Sequence, residues 1–401
     1  MVFETTGGTV AVRPGCLANS KLAPKGGLMA AGGGCALDLN PCIGVVILAR
    51  SDCRPGHEAL AAYARPRFRR SAFEILTSVV PYVAVSVLMY LALDVSLLLT
   101  LALILPAAGF LVRTFVVFHD CAHGSLLPSK LANRSVGRFL GLFVLSPFQR
   151  WRHDHAIHHA TSGDLERRGV GDIITLTVGE YRARGWRGRL AYRLMRNPVV
   201  MFGFGPVIAM MIGPRIATRS QRPRLRHSVL GTDVALVVVI GGLCWLIGWQ
   251  SFLIVWAPSA ILAGSVGIWL FYVQHQFEDA YWQDPADWSY SEAALRGSSY
   301  LKLPRVLQFF TGNIGLHHVH HLNSRIPNYN LQRAHDENAI FRQVPTLSLW
   351  DGLRSVRLKL WDEEHGKLVT FAQAARTQPA SVARHGSMPA QVAPEKVGAS
   401  R

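Results

Sequence analysis

Four long apolar runs constrain this chain more than any other feature of its sequence. About 20 apolar residues in a helix cross the roughly 30 Å hydrocarbon core of a bilayer, and each run is close to that length. They cover 75–93, 95–118 with Arg113 near the end, 229–249 with only Asp233 inside, and 251–273. With 50% hydrophobic and only 17% charged residues, the sequence predicts an all-α integral membrane protein with four transmembrane helices.

The four runs are arranged in two pairs. Only Asp94 separates the first two runs and only Gln250 separates the last two, so each pair is predicted to form a tight hairpin. The basic segments RPRFRR and RSQRPRLRH precede the two hairpins, and Lys and Arg accumulate on the cytoplasmic side of membrane proteins. Both hairpins are therefore expected to begin and end at the cytoplasmic face of a bacterial-type inner membrane, beneath a cytoplasmic helical cap.

A fifth apolar stretch, Val199 to Pro214, is predicted to be an interfacial or re-entrant helix instead of a fifth span. It is short, contains Gly203, Gly205 and Pro206, and has arginines beyond both of its ends. A true crossing would place one arginine cluster on the wrong face and separate the histidine groups described next. The same interpretation applies to Phe139 to Phe148.

Three histidine motifs lie in the predicted cytoplasmic segments or at the end of a span. HDCAH contains His119 and His123, HAIHH contains His155, His158 and His159, and HHVHH contains His317, His320 and His321. Residues three and four apart share one face of a helix, so each motif is expected to present its imidazoles to one point. His275, just past the last predicted span, is a ninth candidate, with a capping or interfacial role as the alternative.

Eight or nine neutral imidazoles exceed the four ligands of one zinc ion, so the motifs imply two metal ions. Nitrogen ligands with open positions fit iron best, although ligand type alone does not exclude other metals. His318 and His153 lie about 100° and 200° from the neighbouring ligand face. We therefore expect His153 not to bind metal, and His318 to support the ligands from behind or to face solvent. The remaining histidines are expected at the surface: His57, His227, His335, His365 and His385.

Carboxylates near the motifs are candidates to orient the histidines, because metal-bound imidazoles usually donate their second N–H to a carboxylate or carbonyl. Asp164, Asp172 and Glu180 are the main candidates, and a salt bridge to a nearby arginine is the alternative for each. Asn313, four residues before His317, is predicted to face the same way as the third motif and to hold a metal-bound water.

These motifs resemble the membrane fatty acid desaturase family, in particular its acyl-lipid omega-6 (delta-12) branch. The resemblance covers about residues 60 to 360 and includes ATSGDLERRGVGDIITLTVGEY, FYVQHQFEDAYW and TGNIGLHHVHHLNSRIPNYNL. It implies a di-iron centre held by the boxed histidines, O2 as co-substrate and removal of two hydrogens from adjacent methylenes of an acyl chain. It also implies two electrons from a separate donor, ferredoxin-like or a cytochrome, because the cytochrome signature His-Pro-Gly-Gly does not occur in the sequence.

An acyl chain would lie in a narrow apolar slot. Five aromatic residues could line that slot, with an ordinary place at the membrane interface as the alternative for each: Trp151, Trp269, Phe271, Tyr272 and Trp282.

Two other functions compete with desaturation. A membrane di-iron hydroxylase or ketolase acting on carotenoids, sterols or alkanes uses the same three-motif arrangement, and GDLERRGVGDI favours the desaturase. A metal transporter would place ligands inside the spans, whereas the four apolar runs contain no histidine. Nucleic acid is not expected as a partner despite a net charge of +17, because the basic residues cluster at the ends of apolar runs.

Three regions are expected along the chain. Residues 1–60, rich in Gly and Ala without a sustained period, are predicted to be a disordered or mis-assigned extension. Residues 61–365 form the predicted membrane domain, and 366–401 are predicted to be a flexible tail.

Overall fold

The computed structural model describes residues 60–218 and 221–376, all of them within one compact unit. The predicted N-terminal extension, apart from Leu60, lies outside the described residues, as do His57, His385 and most of the predicted tail.

The described residues form fourteen α-helices. In chain order they are α1 Phe68–Ala92, α2 Leu97–His123, α3 Lys130–Phe143, α4 Phe148–Thr161, α5 Val178–Ala183, α6 Trp186–Met195, α7 Pro223–Ile247, α8 Trp249–His275, α9 Tyr290–Arg296, α10 Arg305–Phe310, α11 His317–Leu322, α12 Asn328–Glu337, α13 Leu349–Ser355 and α14 Phe371–Arg376. Two π-helical turns, Val200–Phe204 and Val207–Ile212, and two 3₁₀ turns, Gly213–Arg215 and Ala339–Phe341, complete the helical structure.

Four of these helices, α1, α2, α7 and α8, are long and apolar enough to cross a membrane, which confirms the predicted number of spans. Each pair is joined by a short turn. The Ser96 side chain accepts a hydrogen bond from the Leu99 N–H at the start of α2, and Gly248 takes a φ of 81° between α7 and α8. Ser caps a helix start well, and glycine adopts a positive φ without strain.

The helices extend beyond the apolar runs that predicted them. Helix α1 begins at Phe68 and therefore includes Glu74, which pairs with Arg113 of α2; both side chains are buried. A buried charge inside a membrane segment requires a partner. Arg113 also donates to the main-chain carbonyl of Phe309, so this pair ties α1 and α2 to α10.

Helices α2 and α8 form the centre of the membrane region. Leu111, Val112 and Val116 of α2 belong to one buried apolar cluster with Ala263 and Leu270 of α8. Helix α7 instead exposes large apolar side chains along much of its length, as expected of a face covered by lipid. The ends of α2 and α8 that carry His123 and His275 meet, so the two hairpins have the same orientation.

The segment after α6 is bent away from that helix by 60°, at a break between Met195 and Val200. Its two π-helical turns pack on α8, where the Ser265 hydroxyl donates to the Phe202 carbonyl over 2.6 Å. This is the stretch predicted to be interfacial or re-entrant. The related stretch Phe139 to Phe148 is not one helix, because α3 ends at Phe143, the chain turns at Leu145 with a φ of 52° and α4 begins at Phe148. Its place at the membrane interface stays a prediction.

The cap contains two small sheets that the all-α prediction did not include. In one, β1 (Leu176–Thr177) pairs in parallel with β4 (Leu360–Asp362), which pairs antiparallel with β5 (Lys367–Val369). In the other, β2 (Tyr300–Lys302) pairs in parallel with β3 (Thr346–Ser348). Strands of two or three residues carry too little sequence period to be recognised. Because β5 and α14 follow residue 366, the predicted tail boundary lies too early.

Candidate metal centre

All nine candidate histidines come together in two adjacent groups. The first group contains His119, His123, His155, His159 and His320, and the second contains His158, His275, His317 and His321. In each group one ligand nitrogen per residue lies within 4.8 Å of all the others. His153 belongs to neither group, in agreement with its predicted place away from the ligand face.

Each H-x-x-H-H motif contributes to both groups, which corrects the expectation that one motif presents its imidazoles to one point. On α4, His155 and His159 enter the first group and His158 enters the second. On α11 the division is reversed, with His320 in the first group and His317 and His321 in the second. Residues four apart lie about 40° apart on a helix, whereas the third imidazole is displaced far enough to reach the neighbouring group.

The distances between ring nitrogens fit metal binding. The Nε2 atom of His155 lies 3.0 Å from Nε2 of His119 and 3.1 Å from Nε2 of His159. The Nε2 atoms of His275 and His317 are 3.0 Å apart. Two nitrogens bound to one ion at about 2.1 Å lie about 3.0 Å apart at a right angle and about 3.4 Å apart at a tetrahedral angle. The observed spacing is short enough for these nitrogens to share one metal ion.

Several buried nitrogens in the groups have no hydrogen-bond partner within the described part of the chain. They include Nε2 of His123, His158 and His321. A buried polar atom without a partner costs free energy unless something else binds it. A metal ion in each group would satisfy these atoms, so the donor set fits two ions.

The cap histidines of both groups favour the neutral state that metal binding needs. Burial, followed by the neighbouring imidazoles, holds the pKa of His155, His159, His317, His320 and His321 well below the ordinary value. A neutral imidazole keeps a lone pair on one nitrogen.

Three acceptors orient imidazoles from behind. Nδ1 of His158 is hydrogen-bonded to Asp172, as predicted, and Nδ1 of His275 lies 3.0 Å from the Gly297 carbonyl. Nδ1 of His119 lies 3.4 Å from Asp120, whose other oxygen accepts from the Asn328 N–H over 2.7 Å. A proton held on Nδ1 leaves Nε2 free to bind metal. The Gly297 carbonyl carried no sequence signal, because any residue supplies a carbonyl.

The other predicted orienting residues have different partners. Buried Asp164 accepts from Arg167 Nε over 2.6 Å, and Glu180 pairs with Arg168 over 2.7 Å while capping α5. Asn313 has a φ of 58° and donates its side-chain amide to the Asn328 carbonyl. It precedes α11, so the same-face argument from His317 does not apply.

His318 is fully buried, so the solvent-facing alternative for it is wrong. Its Nε2 lies 3.0 Å from Nδ1 of His335, and burial lowers the pKa of His318 to about 3. His335 is partly buried in this pair instead of lying free on the surface. His227 and His365 are exposed as predicted.

A cavity of about 750 Å³ extends from the histidine groups between α2, α8 and the π-helical segment. His119 and His155 of the first group and His317 of the second form part of its wall, and most of the remaining lining is apolar. Trp151 and Phe271 line the cavity, as two of the five aromatic candidates. The other three candidates pack elsewhere: Trp269 against α13, Tyr272 against Arg196 and Trp282 against Trp361.

Comparison with known proteins identifies the family. Residues 94–348 match the family model described as "Fatty acid desaturase". A "Fatty acid desaturase" of Bacillus subtilis (strain 168) is 46% identical over 312 residues, which cover 78% of this chain and 89% of the relative. An "sn-1 oleoyl-lipid 12-desaturase" of Synechocystis is 28% identical over 274 residues, 64% of this chain and 74% of the relative. An "sn-1 acyl-lipid omega-3 desaturase (ferredoxin)" of the same organism is 30% identical over 231 residues, 55% and 62% of the two chains. The chain belongs to the fatty acid desaturase family.

Proposed function

We propose that this chain introduces a cis double bond into a lipid-linked acyl chain, with the delta-12 (omega-6) position as the first to test. The reaction would use O2, two electrons from an external donor and two iron ions. The observation that carries the proposal is the cavity, because a single apolar space has ligand candidates of both histidine groups in its wall. An acyl chain in that space would lie beside both groups.

The nine histidines would hold the two ions, five in the first group and four in the second. With iron bound, the site would supply activation of O2. In the overall reaction, O2 takes up two hydrogens from adjacent methylenes, two electrons and two protons, which gives one double bond and two waters. Asp172, Asp120 and the Gly297 carbonyl hold the Nδ1 protons and so keep each Nε2 directed inward.

The cavity positions the substrate and excludes water. Phe115, Phe271 and Trp151 give it rigid aromatic walls, and the Trp151 ring stacks on His155 with centroids 4.3 Å apart. A chain confined between such walls presents only a few carbons to the histidine groups, which would determine where the double bond forms.

The electrons would come from a separate protein, ferredoxin-like or a cytochrome. The name of one Synechocystis relative includes ferredoxin. The net charge of +17 would favour association with an acidic donor.

The test is expression in a bacterial host that lacks polyunsaturated lipids, with a ferredoxin supplied, followed by gas chromatography and mass spectrometry of the fatty acid esters. We expect new cis-unsaturated esters, whose fragment masses give the position of the double bond. Hydroxylated or keto products in place of unsaturated esters would contradict the proposal and support the hydroxylase or ketolase alternative.

A further inference from the structure

Helix α6 carries a large amount of exposed apolar surface. Of its ten residues only Tyr192 is buried. Trp186, Leu190 and Leu194 are 65%, 48% and 54% exposed. Exposed apolar patches of this kind mark surfaces that bind a partner or a membrane.

The exposed apolar residues form one stripe that points away from the protein. Trp186, Leu190 and Leu194 are spaced four residues apart, so they span about 80° of the helix surface. Tyr192 lies roughly opposite the stripe, and its buried hydroxyl donates to the Lys359 carbonyl over 2.6 Å. The Tyr192 contact is therefore on the far side from the stripe. A second contact lies nearer to it, where Arg193 donates to the Tyr181 hydroxyl over 2.6 Å and lies over the Phe371 ring.

Arginines lie on both sides of this stripe. Arg187 and Arg189 are exposed and fall on opposite flanks of it, and Arg184 is exposed just before the helix. The sequence of α6, WRGRLAYRLM, contains no acidic residue. An apolar stripe between cationic flanks is the pattern of a helix that lies in an anionic membrane surface.

Contacts next to α6 place its end at the level of the bilayer surface on the histidine side. Arg196, the residue after α6, donates to the Tyr272 hydroxyl over 3.0 Å and to Gln276 over 2.9 Å. These two residues lie at the end of spanning helix α8, next to His275. The chain then passes down along α8, where Phe202 receives its hydrogen bond from Ser265.

We propose that α6 lies in the plane of the bilayer surface and binds anionic phospholipids. The apolar stripe would enter the acyl layer, and Arg187 and Arg189 would bind head-group phosphates. The Trp and Leu stripe favours a bilayer over an acidic protein, which would leave those side chains in water. Met195 and Arg196 line the cavity. Lipid binding by α6 would therefore hold this side of the cavity wall at the bilayer surface. This inference concerns only the membrane contact and holds whatever reaction the histidine groups perform.

Hydrogen exchange of the metal-loaded full chain in nanodiscs tests the proposal. One nanodisc contains phosphatidylcholine alone, and the other contains phosphatidylcholine with one third phosphatidylglycerol. We expect amides of residues 186–195 to exchange about thirtyfold more slowly in the anionic nanodisc, from about fivefold for each of the two arginines. The double variant Arg187→Gln/Arg189→Gln should lose this difference.

Two further variants make the test specific. Arg325→Gln/Arg342→Gln removes the same charge from other exposed positions and should keep the lipid-dependent protection of α6. Leu190→Gln keeps the charge and should weaken the protection in both lipids. The proposal would be overturned if α6 exchanged equally in the two nanodiscs. It would also be overturned if exchange slowed only after a reduced ferredoxin was added, and that result would identify a protein-docking surface.

Discussion

At the scale of single residues, the histidines differ more than the motifs suggest. His153 and His158 lie on the same helix, α4. His158 is nevertheless buried in the second group, whereas His153 is partly exposed and belongs to neither group. Helical angles predicted this difference from the sequence. They did not predict the His318–His335 pair, because nothing in the sequence brings α11 and α12 together at those positions.

Replacing His158 with alanine should abolish desaturation, because it removes a ligand candidate and leaves Asp172 without its imidazole partner. Replacing His153 with alanine should keep most of the activity. The measurement is the amount of unsaturated ester per amount of enzyme in the expression host. Wild-type product levels in His158→Ala would show that this histidine is not part of the working site.

A second prediction concerns Lys359, which is only 5% exposed and whose ammonium has no hydrogen-bond partner in the described part of the chain. Burial, followed by the charge of Arg196, lowers the pKa of Lys359 to about 7. The unfolded chain, with an ordinary pKa of about 10.4 for lysine, binds more protons between these values, so stability rises with pH in that window.

Lys359→Met should therefore raise the melting temperature in detergent most at pH 7 and below, and the gain should shrink as the pH rises from 7 towards 10.5. Thermal unfolding of both proteins across this pH range is the measurement. A gain independent of pH would mean that the fold does not lower the pKa of Lys359, because its ammonium reaches water.

At the scale of elements, the sequence predicted the long helices and missed the short structure. Runs such as 229–249 have the length and the apolar composition needed to cross a bilayer and so identify spans directly. The start of α1 was missed because Arg113 compensates Glu74 only after the hairpin has formed. The π-helical segment was recognised as unusual from its glycines and proline, but its bend depends on packing against α8.

Helix α8 offers a test of the cavity at Gly267. A Cβ added there would meet only the Met210 side chain, at 3.8 Å, so the position borders open space inside the cavity. Gly267→Val should fill part of that space and shift the product profile towards shorter acyl chains. A methylene-sized change in an apolar pocket alters discrimination about 10- to 200-fold, and ester analysis measures it.

Gly242→Val on α7 is the matched control, since a Cβ added at Gly242 meets nothing within 4 Å. It should leave the profile of chain lengths and double-bond positions unchanged. If Gly267→Val produces the wild-type profile, the acyl chain does not pass this part of the cavity.

At the scale of the whole molecule, two hairpins of the same orientation bring three distant histidine motifs together. The ends of α2 and α8 supply His119, His123 and His275, and the cap helices α4 and α11 supply the other six ligand candidates. The sequence predicted eight of these candidates from their local spacing and His275 from its position just past the last span. It could not divide them into two groups, because that division depends on how α4 and α11 cross the ends of the spans.

The central claim is that each histidine group holds one iron ion. The most direct measurement is the metal content of the purified full chain, by mass spectrometry of the metals, together with Mössbauer spectra of protein grown on iron-57. We expect about two iron ions per chain in nitrogen-rich, five- or six-coordinate sites. The His317→Ala variant should lose the iron of the second group. One iron per chain, or zinc in tetrahedral sites of active protein, would contradict it.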